Sequence, residues 1–246
     1  DSVHVTCADA RGTGGRWHCA VQFSLLGKLD EADQVTVTVC EAWGASTCLP
    51  AVETVANSTR MTVTVPIPDA QLWVPGAPAG QANLYTANLS IAGRALNTTS
   101  SARFGVRSLR TDGPRILFNG EPLFLRGYGD DGQYAVTGAP PMEKSYYLKQ
   151  LSDMKSLGFN FIRFHTHSMP DVFHEAADEL GFLCDPEFAM NYAYPCPFPG
   201  CAPNDLVHEV FNRSFTSIVQ RTSHHPSLFG YVLSNEIGFG KSSQFV

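Results

Sequence analysis

Asn235 and Glu236 stand side by side where the apolar run at residues 228–233 gives out, and a glycine-rich loop follows. An amide can hydrogen-bond a hydroxyl without adding charge. A carboxyl beside apolar residues keeps its proton more readily than one in water, which is what a general acid needs near neutral pH. Comparable groups recur upstream: Tyr128 with Asp130 and Asp131, then Arg163, His165 and His167, then Asp185 and Glu187, each closing a short apolar stretch. Buried charge must be paired or solvated, so repeating this arrangement for stability alone is costly. At any one position a loop-end ion pair or a helix cap is the bland alternative. His165 and His167 share one face of a strand and would suit a metal, but no third ligand accompanies them convincingly; no metal and no cofactor is expected.

The elements that must carry these residues alternate between strand and helix from residue 112 onward. The runs "LFLRGYG" (123–129), "FNFIRFH" (159–165), "FLCDPE" (182–187) and "LFGYVLSNE" (228–236) read as strands. Between them, Tyr147, Leu148, Leu151, Met154 and Leu157 recur at helical spacing before Gly158, a second helix lies between Pro170 and Gly181, and a longer one covers roughly 205–223. Strands alternating with helices imply parallel βαβ units, either doubly wound or barrel-forming. In a barrel the reactive side chains gather at the C-terminal ends of strands, where the polar residues named above lie. A nucleotide-binding doubly wound sheet fits less well, because "RGYGDDG" is acidic where a phosphate would sit.

Residues 1–111 have another rhythm. "VTVTVCEAW" (35–43) and "RMTVTVPIP" (60–68) alternate β-branched and polar residues with period two, and "NLYTANLSIAG" and "ARFGVRSL" continue the pattern between Gly, Pro and Asn clusters. Short strands at this spacing predict an immunoglobulin-like β-sandwich. The expected architecture is therefore multidomain: a β-sandwich over 1–111, then α/β over 112–246, about half of the ~250 residues that a complete (β/α)8 TIM barrel takes.

With 246 residues, 43% of them hydrophobic, the chain can bury a sizeable core. A net charge of −6 with 16% charged residues offers no basic stripe, so no nucleic-acid partner is expected, and no apolar run is long enough for a membrane span. The sequence has no leader-like segment at Asp1. Four acceptor sequons, at Asn57, Asn88, Asn97 and Asn212, favour a secreted, glycosylated protein. The seven cysteines agree: Cys7 with Cys19, Cys40 with Cys48 and Cys196 with Cys201 each flank a short loop and form candidate disulfides, leaving Cys184 as a buried thiol. None of these pairs has the close spacing of a structural zinc site.

Four stretches, "RFGVRSLRTDGPRILFNGEPLFLRGYG", "MKSLGFNFIRFHTHSMP", "ADELGFLCDPE" and "HHPSLFGYVLSNE", resemble successive landmarks of glycoside hydrolase family 2, in order, across residues 103–236. That family holds β-galactosidases, β-glucuronidases and β-mannosidases. "DAQLWVPGAPAGQANLYTANLSI" is similar to the last strands of its immunoglobulin-like domain. The resemblance implies a sandwich followed by the first half of a TIM barrel, and a retaining mechanism with two carboxylates. It assigns Glu236 as the acid/base, Asn235 as the amide that binds the sugar 2-hydroxyl, Arg163, His165 and Glu187 as lining for the subsite of the cleaved sugar, and His167 as a peripheral contact. The implied partner is a β-glycoside. Within the sandwich, Trp17, Trp43 and Trp73 are either sugar platforms or core filling, and core filling is the plainer role for an aromatic there.

The sequence also departs from the family. Tyr231 stands where the family often has Trp, and the run at 164–170 replaces Ser-His-Tyr-Pro. The Pro/Cys loop at 192–203 has no counterpart, and "IGFGKSSQFV" contains no second acid. The chain is thus expected to be part of a longer parent whose remainder supplies the nucleophile. Two functions compete: a segment of a secreted retaining β-glycosidase, and a non-catalytic extracellular scaffold or carbohydrate-binding protein that keeps the hydrolase fold.

Overall fold

In Arg60–Pro68 (β5) every second residue from Met61 to Ile67 is buried and the residues between are exposed, as the alternation of the sequence predicts. The computed structural model describes residues 2–9, 16–24, 33–43, 47–56, 58–78, 81–93, 97–188, 205–233 and 235. Their contacts divide into two units: Asp1–Phe124 with His224–Pro226, and Leu125–Ser223 with Ser227–Val246. In the first unit β5 pairs antiparallel with Arg16–Ser24 (β2), which pairs with Ser2–Asp9 (β1). A second antiparallel sheet runs in the order Val52–Val55 (β4), Gln34–Glu41 (β3), Tyr85–Ala92 (β6), Asn97–Phe104 (β7). Val21, Phe23, Val63 and Val65 of the first sheet and Val35, Val37, Leu89 and Ile91 of the second fill one core, so two sheets enclose a single apolar layer. Trp17 and Trp73 are buried and Trp43 packs edge-on against Tyr85, which makes all three packing residues.

Two of the expected disulfides are formed, Cys7–Cys19 across the β1–β2 pair and Cys40–Cys48 beside β3. Cys196 and Cys201 lie outside the described residues, and Cys184 is buried with its Sγ 3.7 Å from His174 Nδ1. Of the sequon asparagines, Asn88, Asn97 and Asn212 are exposed, and Asn57 lies outside the described residues.

The first unit continues beyond residue 111. Leu109–Asp112 (β8), Arg115–Phe118 (β9) and Glu121–Pro122 (β10) form an antiparallel meander, so the change of rhythm read at residue 112 is its first turn. Asn119 holds it to the sandwich: its side chain accepts from Ser108 N–H at 2.8 Å and donates to the Trp73 carbonyl at 2.9 Å. Gly105 is also required there, because a Cβ would meet the Pro226 ring at 2.7 Å and Trp73 Cβ at 2.8 Å.

The second unit is built on Gly127–Asp130 (β11), Phe161–Phe164 (β12) and Leu183–Asp185 (β13), paired in parallel in that order. Lys144–Ser156 (α1) and Asp171–Leu180 (α2) connect them, and Asp205–Thr222 (α3) follows. Gly181, at φ 63°, closes α2 in the left-handed conformation that favours glycine, and Pro170 precedes its first turn. Tyr147 and Leu151 of α1 and Phe173, Ala176 and Ala177 of α2 pack on Ile162, Phe164 and Cys184. Phe164 and Phe173 meet edge to face at 4.8 Å. Because side chains alternate along a strand, burying Ile162, Phe164 and Cys184 on the helix side turns Phe161, Arg163 and Asp185 to the opposite face. Among the described residues no helix is long and apolar enough to cross a membrane.

Opening the Cys40–Cys48 loop tests the sandwich. In the chain-entropy account, closing a loop with a sequence separation of 8 contributes about 2–3 kcal/mol. The Cys40→Ala/Cys48→Ala variant should lose about that much in a urea titration.

Candidate functional site

Arg163 stands in β12, level with Gly129 of β11 and Asp185 of β13 across the parallel register. Its guanidinium reaches past β13: Nε donates to Glu187 Oε2 at 3.1 Å and Nη2 to the same oxygen at 2.6 Å. Nη2 also donates to Asn235 Oδ1 at 3.2 Å. One cation thus joins the ends of three successive segments, and these short bonds to charged groups are the strong kind. Glu187 is held from the backbone as well, since its N–H donates to the His167 carbonyl. Its side chain is 0% exposed while Arg163 is 41% exposed. Its second oxygen, Oε1, is buried without a partner among the described residues.

Of the run at 228–236, expected as a fourth strand, the described residues meet β13 and the segment just after it through two isolated parallel bridges, Cys184↔Leu228 and Glu187↔Val232. Phe229 N–H donates to the Cys184 carbonyl and Val232 N–H to the Pro186 carbonyl. Between the two bridges the 228–233 segment carries one residue more than its partner, and Pro186 has no N–H to return, so the ladder is interrupted there. The pairing still brings Asn235 to Arg163. Glu236 lies outside the described residues.

Asp185 belongs to the same face. Its carboxyl lies beside the Gly230 backbone and has Arg163 as its strand neighbour. Burial pushes its carboxyl up to about 6, against the pull of the Gly230 N–H and the Arg163 charge. Its importance was legible only in part: Asp185 and Glu187 stand two apart on one strand face, but the sequence does not reveal which of them Arg163 grips.

The two histidines go elsewhere. His165 Nδ1 lies 3.6 Å from Asp131 Oδ1, and its backbone N–H donates to the Asp130 carbonyl, so the ends of β11 and β12 are tied together. His167 turns back into its own loop, where Nδ1 lies 2.9 Å from the His165 carbonyl, the arrangement in which Nδ1 carries the proton. Its ring packs over Gly132, whose missing Cβ would come within 2.8 Å of it, and edge-on to Phe164. Between them Thr166 adopts φ 60°, costly for a β-branched residue, with its hydroxyl donating to the same His165 carbonyl. The structure therefore joins Arg163, Glu187 and Asn235 through their side chains and places His165 with Asp131; His167 meets that trio only through its backbone carbonyl, which accepts from Glu187 N–H. Asp131 is the partner that sequence reading had not assigned.

Two measurements probe this arrangement. Removing Arg163 leaves a fully enclosed carboxylate without its cation, whereas removing Glu187 leaves a cation that water still reaches. Arg163→Met should thus cost about 3–5 kcal/mol and Glu187→Gln about 1–2 kcal/mol in chemical denaturation, with the double variant recovering part of the larger loss. For Asp185 the folded-state value of about 6 exceeds the ordinary 3.8, so the unfolded chain ionises first. Its contribution to stability is full below about pH 4 and is lost as pH rises to about 6. In thermal melts Asp185→Asn should therefore gain on the native protein across that window and hold its advantage above it.

No protein-family model matches the sequence. The chain is 25% identical over 181 residues to a β-galactosidase of Enterobacter cloacae, a match covering 74% of this chain and 17% of that protein. It is 26% identical over 201 residues to a putative β-glucuronidase of Formosa agariphila, covering 75% and 18%. Its fold superposes on the Parabacteroides merdae β-glucuronidase with a TM-score of 0.78 at 21% identity, over 96% of this chain and 28% of that one. The Bifidobacterium dentium β-glucuronidase complexed with coumarin-3-O-glucuronide gives 0.79 at 21%, over 96% and 37%. The chain spans less than a fifth of the length of these curated relatives. In sequence the chain is thus similar to part of a β-galactosidase and of a putative β-glucuronidase, and in fold it is similar to part of the β-glucuronidases of known structure.

Proposed function

We propose that the chain is a segment of a secreted retaining β-glycosidase: an immunoglobulin-like sandwich followed by the first half of a TIM barrel. The observation that carries this reading is the bonding of Arg163 to both Glu187 and Asn235 at the C-terminal ends of parallel segments, with Glu236 next in the chain. Glycosidase relatives on the sequence side and β-glucuronidase neighbours on the fold side support it.

In the proposed mechanism Glu236 protonates the glycosidic oxygen while a second carboxylate, supplied from outside these 246 residues, attacks the anomeric carbon to give a glycosyl-enzyme; Glu236 then takes a proton from the water that releases the sugar. Asn235, its Oδ1 engaged by Arg163, has its amide N–H groups available for the sugar 2-hydroxyl. Arg163 and Glu187 hold that amide in place, so their part is to orient rather than to react. His165 with Asp131 borders the subsite for the cleaved sugar, and His167 shapes the loop beneath it. Three exposed sequon asparagines and two disulfides agree with an oxidising, secretory route.

The test uses the longest natural form of the protein on aryl β-glycosides. Glu236→Gln should lower kcat by about 10²–10⁴-fold, with the larger loss on substrates that have poor leaving groups. Undiminished turnover by this variant refutes the assignment of Glu236. Binding of glycans without turnover by the native protein favours the non-catalytic alternative.

A further inference from the structure

Asn119–Gly120 is the one Asn-Gly pair in the sequence. The turn between β9 and β10 calls for it, because Phe118 pairs with Glu121 and leaves two residues to reverse the chain. Those two stand at φ 53° and φ 88°, the type I′ pattern that asparagine followed by glycine adopts most readily. The pair is also chemically labile, since a glycine nitrogen has no neighbouring side chain to shield it from the asparagine amide. In that reaction the Gly120 nitrogen bonds to Asn119 Cγ, the Cγ–Nδ2 bond breaks, and ammonia leaves with the Gly120 proton. Water then opens the resulting succinimide to aspartate or isoaspartate, with no oxidant or reductant involved. Attack requires the side chain to swing back over its own backbone, and here both of its ends are tethered. Oδ1 accepts from Ser108 N–H at 2.8 Å, and Nδ2 donates to the Trp73 carbonyl at 2.9 Å. The Asn119 N–H donates to the Ser108 carbonyl as well, at 2.9 Å. Gly120 is exposed, so water is at hand once the tethers open.

We propose that Asn119 is a spontaneous modification site, gated by opening of the β8–β10 meander, and that its conversion makes the opening permanent. While the clasp is shut, the amide is held away from the Gly120 nitrogen; each local opening frees it to react. Afterwards the clasp does not re-form. Aspartate presents an oxygen where Nδ2 stood, so two acceptors face each other between residue 119 and the Trp73 carbonyl. Isoaspartate adds a methylene to the main chain, which no longer fits a two-residue turn between Phe118 and Glu121. Neither step draws on the glycosidase reading, since every residue involved lies in the first unit.

The experiment incubates the longest natural form at mildly alkaline pH and follows residue 119 by peptide mapping with mass spectrometry. Conversion should run at least about ten-fold slower in the folded protein than in the chain unfolded in urea. It should also quicken at sub-denaturing urea in step with hydrogen exchange at the Asn119 amide. Equal rates in the two states overturn the gating, and so does a lack of conversion in the unfolded chain. Gly120→Ala, read in the unfolded chain where its positive φ is no constraint, should slow conversion; an unaltered rate overturns the succinimide route. Asn119→Asp supplies one product directly. Its β8–β10 amides should exchange at least about ten-fold faster than in the native protein, while those of β3 and β6 keep their rates. Unchanged protection of the meander overturns the claim that conversion holds it open. If Asn119→Asp fails to fold, native protein converted in part and separated by its added negative charge gives the same comparison.

Discussion

Arg163 is asked to do three things at once. It answers the charge of a carboxylate that water cannot reach, it aligns the amide of Asn235, and it supplies a cation next to Asp185. These tasks are compatible only because β12 fixes the Arg163 backbone rigidly. Ile162 and Phe164 on either side are fully buried against α1 and α2, so the strand cannot rotate to release the side chain between them. Helix packing on one face of the sheet is therefore what holds the polar constellation in place on the other.

The same alternation explains what was legible beforehand. Period-two runs such as residues 60–68 led directly to strands with the expected faces, and helical spacing with Pro170 and Gly181 placed α2 within a residue of its observed ends. Cysteines flanking short loops led to two of the observed disulfides. Two features were not legible, because each depends on partners distant in sequence. The meander after residue 111 joins the first unit through Asn119, whose bonds to Ser108 and Trp73 leave no local signature. Among the described residues the fourth strand is reduced to two bridges, because its register slips by one residue against a neighbouring segment whose Pro186 offers no N–H.

Within the site, residue types marked the strand ends correctly but could not apportion partners. Arg163 is separated from Glu187 by 24 residues and from Asn235 by 72, and the parallel pairing of β12, β13 and the segment at 228–233 brings the three within bonding distance. His165 and His167, two apart on the expected strand face, take different partners where Thr166 adopts a left-handed conformation and the second ring turns back on the loop. Local backbone geometry, invisible to periodicity, decided between them.

The three residues His224–Pro226 group with the first unit although the chain on both sides of them belongs to the second. Neither unit is consequently one uninterrupted stretch of polypeptide. Dissecting the protein at the boundary after Phe124 would leave the fragment before the cut without the Pro226 ring that lies against Gly105 and Trp73, while the fragment after it would carry that ring without its seat. Modular exchange of either half among homologues has to move this tripeptide too.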